Sequence, residues 1–98
     1  MLDIKEVVDI VRRRCRFTLE QYDVATIYAE KKQDKVKLYI HLNTDLDKEE
    51  LTKLAVKYNH IFDDVSDTFT ISVKNNSDFI SQKFMWVVWK KGAGYLFN

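Results

Sequence analysis

Apolar side chains recur at Ile4, Val7, Val8, Val11 and Cys15, with Lys5, Asp9, Arg12, Arg13 and Arg16 between them. This spacing gathers the apolar set on one stripe of an α-helix and the charges on the other. Asp3 and Glu6 form an Asp version of the capping box, and Leu2 is placed to staple onto Val7. The same signature returns 44 positions later as Leu46, Asp47, Glu50 and Leu51, followed by Leu54, Ala55 and Tyr58 on one face. Asn59 reads as the stop signal of this second helix.

Alternating segments follow each helix. Ala25, Ile27 and Ala29 alternate with polar neighbours, Lys32-Gln33-Asp34 makes a polar turn, and Val36, Leu38 and Ile40 alternate again. This is the pattern of a β-hairpin. After the second helix, Phe69, Ile71 and Val73 alternate with Thr68, Thr70, Ser72 and Lys74, again 44 positions after Ala25, Ile27 and Ala29. An internal repeat of helix, strand and strand is therefore expected. Its last strand falls in the uninterrupted run Phe84-Met85-Trp86-Val87-Val88-Trp89, whose aromatic and β-branched content suits a buried strand. The alternative for residues 79–91 is a helix capped by Ser77 and ending at Gly92. Gly92 and Gly94 predict a bend and then a short tail, Tyr95-Leu96-Phe97.

The order α-β-β-α-β-β predicts an α+β fold, a four-stranded antiparallel sheet with two helices on one face. This is the ferredoxin-like order with its first strand moved to the end. A single domain, 1–98, divides into a first helix–hairpin unit, 1–42, a second helix–strand–strand unit, 43–91, and a tail, 92–98. In that permuted order the second and fourth strands are central, and Trp86 or Trp89 stands beside Tyr39. The open face of the sheet then carries Thr26, Tyr28, Lys37, Tyr39, His41, Thr68, Thr70 and Ser72, plus either Phe84 and Trp86 or Met85, Val87 and Trp89.

The 98 residues are 46% apolar and 32% charged, enough to fill one core and to keep the exterior hydrated. Sixteen Lys and Arg against 15 Asp and Glu leave none of the positive excess typical of duplex binders. The lone Cys15 excludes an internal disulfide and a Cys zinc cluster, and points to a reducing compartment. Without a secretory pattern in the first residues or a membrane-length apolar run, the expected location is the cytoplasm, or a host cytoplasm for a viral chain. Size alone would also suit a small accessory protein of a virus or mobile element.

Candidate chemistry is sparse. Tyr28, Tyr39, His41, Trp86 and Trp89 would form an aromatic sheet face suited to docking a protein, either a second copy of the chain or another partner. Aromatics on such a face also stack single-stranded bases, with Lys37 and the end of the first helix, Arg12, Arg13 and Arg16, supplying phosphate contacts. The glycine-aromatic signature of RNA-recognition domains is absent from the second strand, Val36 to His41. Asp63, Asp64 and Asp67 after His60 are the ingredients of a metal-dependent hydrolase, but nothing in their spacing fixes a geometry. No nucleophile turn or glycine-rich phosphate loop occurs. Cys15 lies on an apolar stripe, where a cysteine is ordinarily a small buried hydrophobe. The expectation is a non-enzymatic interaction module without metal or cofactor; single-stranded nucleic-acid binding is the competing reading.

Overall fold

A computed structural model describes residues 2–96. Ile4–Cys15 forms α1 and Lys48–Ile61 forms α2. Both start as the repeated capping signature predicts: the Asp3 carboxylate accepts from the Glu6 N–H and that of Asp47 from the Glu50 N–H, each at 2.9 Å. The strands are β1 (Val24–Lys32), β2 (Lys35–Leu42), β3 (Phe69–Lys74), β4 (Trp86–Lys90) and β5 (Gly94–Tyr95). A single turn of 3-10 helix, Asp63–Val65, follows α2.

The molecule is α+β, but the sheet is five-stranded and mixed, in the order β3-β2-β1-β4-β5. This corrects the expected four-stranded antiparallel sheet and its permuted ferredoxin-like order. β1 and β2 do form the predicted hairpin, with Gln33 at φ 55° in the positive-φ region that two-residue hairpin turns use. β3, however, runs parallel to β2, Val36 facing Phe69 and His41 facing Lys74. The physical reason is α2: a helix between two strands carries the chain back along the sheet, which permits a parallel neighbour. β4 pairs antiparallel with the other edge of β1. Tyr39 consequently lies between Tyr28 and Ser72, and neither tryptophan stands beside it: Trp86 faces Ala29 and Trp89 faces Ile27.

Val7, Val8, Val11 and Cys15 of α1 and Leu54 and Tyr58 of α2 pack on Ile27, Ala29, Leu38, Ile40, Ile71 and Val73 in one core. At the start of β1 the register shifts between Val24 and Thr26, so Val24 enters the core in place of the expected Ala25. Residues 79–91 resolve into two parts. Only Trp86–Lys90 is strand, and no helix forms. The expected tail in part rejoins the sheet: Gly92 and Gly94 take φ 86° and 77°, and Tyr95 pairs with Trp89. Phe97 lies outside the described residues.

The topology dictates what the other sheet face carries. β4 is antiparallel to β1 and β3 is parallel to β2, so β3 and β4 run in the same direction. Residues 75–85 must therefore return from the end of β3 to the start of β4, past β2 and β1. With both helices on one face, this strap crosses the other. The direct diagonal, three strand spacings sideways and three residues along, is about 18 Å. Twelve Cα steps can extend to about 40 Å. The strap has slack, and it arches.

Candidate functional site beneath and upon the strap

One amide side chain, that of Asn75, shows how the arch is fixed at its first end. Asn75 donates to the Leu46 carbonyl and accepts from the Leu46 N–H, both at 2.9 Å, tying the strap to the turn before α2. Beside it the Ser77 N–H reaches the Asp45 carboxylate at 2.9 Å, and the Asn76 N–H reaches the Thr44 carbonyl at 3.1 Å. Farther along, Ile80 is buried and Gln82 Nε2 donates to Tyr28 Oη at 2.8 Å. The sheet face expected to be open is thus covered in its middle.

Tyr28 retains only 7% of its exposure. His41 tilts against it, ring centroids 6.5 Å apart, and its Nε2 lies 3.2 Å from the Asn76 carbonyl oxygen. Tyr39 is half-buried, its hydroxyl donating to Glu30 Oε1 at 3.4 Å, and Lys37 Nζ lies 5.1 Å from its ring centroid. Between strap and sheet a cleft of about 290 Å³ remains, lined by Glu30, Lys37, Tyr39, Lys74, Ile80 and Phe84 among others. Glu30 also pairs with Lys32 at 3.3 Å.

The structure therefore brings together Tyr28, Tyr39, His41 and Lys37. It places the other sequence-derived candidates elsewhere. Trp89 packs against the core, and Trp86 is 37% exposed beyond the strap. Arg12, Arg13 and Arg16 stand on the helical side, away from Lys37 and Tyr39. Arg12 pairs with Asp9 at 3.0 Å, Arg13 Nε donates to the Asp9 carbonyl at 3.3 Å, and Arg16 lies 4.6 Å from the Phe17 ring centroid. A nucleic-acid surface using both sets would have to wrap around the molecule. Asp64 is engaged by both guanidinium nitrogens of Arg14, at 2.6 and 3.1 Å. Among the described residues no group of three or more His, Cys, Asp or Glu could hold a metal ion.

Sequence reasoning missed the strap itself. Phe79 and Phe84 are 89% and 77% exposed, a pair of aromatic rings in water on one short segment. The aromatic run places Phe84 in the last strand, whereas β4 starts two residues later. The available signal was the stretch Asp78 to Lys83, which follows neither a helical nor a strand period. No family model, curated protein or solved structure matches this chain. No helix among the described residues is long and apolar enough to cross a membrane.

Proposed function

We propose that this chain is a small, non-enzymatic docking module that holds a protein partner through the aromatic ridge of its strap, Phe79 and Phe84. The exposure of the two phenylalanines carries the reading. Aromatic side chains in water forgo a large burial gain, and clustered ones mark contact surfaces. Central aromatics of this kind contribute most of an interface's free energy. The ridge is bordered by Lys74 and Lys83, the latter with Nζ 5.5 Å from the Phe84 ring centroid. Its neighbouring carboxylate, Glu30, is already paired with Lys32. The complementary partner presents an apolar hollow edged by carboxylates. On the lone cysteine, the proposal places this module in the cytoplasm.

A photo-crosslinking residue at position 79 identifies what the ridge touches in cells, and the purified pair is then reconstituted. The expected complex survives high salt, since apolar burial is not screened. A Phe79→Ser/Phe84→Ser variant should bind at least about 30-fold more weakly. Its thermal midpoint should match that of the unaltered protein, because exposed positions seldom matter to stability. A reconstituted complex indifferent to this double substitution overturns the reading. A salt-resistant homodimer on light-scattering chromatography, lost in the double variant, replaces the foreign partner with a second copy.

A further inference from the structure

The cleft between strap and sheet adds charged groups to the ridge phenylalanines, which also line it. Lys37 and Lys74 both line the cleft, and neither forms an ion pair among the described residues. They lie on adjacent strands of the covered face, with Tyr39 between their levels: Lys37 faces Thr70, Tyr39 faces Ser72, and Lys74 faces His41. Phe79 and Phe84, both largely exposed, line the cleft together with Tyr39. Glu30, directly across from Lys37, accepts from the Tyr39 hydroxyl at 3.4 Å and pairs with Lys32 at 3.3 Å, so its carboxylate is held from two sides. Two lysines without ion pairs, one of them over the Tyr39 ring, three aromatic rings and one carboxylate thus line one cleft.

We propose that the cleft binds a planar aromatic anion of nucleotide chemistry. The ring lies among Tyr39, Phe79 and Phe84, the phosphate lies between Lys37 and Lys74, and a ring amine donates to Glu30. Ligand pockets range from about 300 Å³ upward, so the cleft of about 290 Å³ suits one ring and one anionic group rather than a dinucleotide. The ring contributes stacking and the ammonium groups contribute charge, so neither half alone should suffice. This binding shares Phe79 and Phe84 with the ridge, so a docked protein and the ligand compete for the two rings, but it needs no protein partner.

The test is a nuclear magnetic resonance titration of the isolated chain with adenosine monophosphate, adenosine and inorganic phosphate, each to millimolar concentration. The monophosphate should give saturable shifts at Glu30, Lys37, Tyr39, Lys74 and Phe84, with an affinity at least about tenfold above that of either fragment. A Lys37→Met/Lys74→Met variant with an unchanged thermal midpoint should lose saturation. Inorganic phosphate binding as well as the monophosphate, an unaffected variant, or no shifts at these residues overturns the proposal. A short oligoadenylate separates the two sources of such a ligand. Tighter, salt-sensitive binding assigns the ring to a strand, and affinity equal to that of the monophosphate assigns it to a free nucleotide.

Discussion

Cys15 and Asp64 show how differently the same fold treats two reactive groups. Cys15 is buried beneath α1, and desolvation pushes its thiol up to about 12, with Arg14 opposing the shift only partly. A thiol reagent at neutral pH should leave the native protein untouched and react stoichiometrically once denaturant is added, because the thiolate is the reactive form. Asp64 is exposed, and its hydrogen bond from Arg14 holds the carboxyl below its ordinary value of 3.8. A depressed folded value makes the ionised pair stabilising above the unfolded value and removes that contribution as pH falls through the folded one. Thermal midpoints of the unaltered protein and Asp64→Asn should differ at neutral pH, slightly given the exposure, and converge in strong acid.

The edge strand β3 illustrates the element scale. Its outward groups at Ile71 are met by Asn59 of α2, whose Nδ2 lies 3.2 Å from the Ile71 carbonyl and whose Oδ1 lies 3.4 Å from the Ile71 N–H. One side-chain amide thereby occupies the place of a neighbouring strand's peptide, on an edge that would otherwise invite pairing. Asn59→Ala should cost about 0.5–1.5 kcal/mol in urea denaturation, the range for a lost hydrogen bond whose partners water can still reach. It should also raise self-association at high concentration in sedimentation runs. Asn59 is instructive in another way. Its residue type suggested a helix stop, yet α2 continues to Ile61. Local rules see the backbone preference of an asparagine and cannot see a strand twelve residues on. The caps at Asp3 and Asp47, the hairpin and the inward set Phe69, Ile71 and Val73 were legible because they depend on near neighbours and on a period of two or 3.6. The 44-residue spacing holds for the two caps and for Ile27 and Ala29 against Ile71 and Val73, and fails at Ala25, which Val24 replaces in the core, and for connectivity. Whether β3 turns back as a hairpin or passes over the sheet depends on which edge remains for β4, a property of the assembled sheet. The site depends on the same choice: the alternation puts Tyr28, Tyr39 and His41 on one face, and only the crossing of the strap covers it.

At the scale of the whole molecule, the sheet separates two surfaces of different character. The helical side carries the arginines, each already engaged by a carboxylate, a carbonyl oxygen or an aromatic ring. The strap side carries Lys37 and Lys74, which form no ion pair among the described residues, and the exposed rings of Phe79 and Phe84. Exposed loop tips are the preferred targets of proteases, and Phe79 and Phe84 offer aromatic cleavage points. Brief chymotrypsin treatment should therefore cut first within 79–84. The nicked chain should still elute as one folded species in native chromatography and fall apart only in denaturant.

That outcome follows from what the cut leaves behind. The strap brings β4 to its place, but β4 is retained by its ladder to β1 and by Val88, which is wholly enclosed. A chain severed in the arch is in effect a split protein: a larger piece ending after β3, and a short peptide bearing β4 and β5 that can be made separately and added back. Reassembly from two tubes would then report on the last step of building the sheet, with the strap's loose ends free to carry whatever label an experimenter attaches.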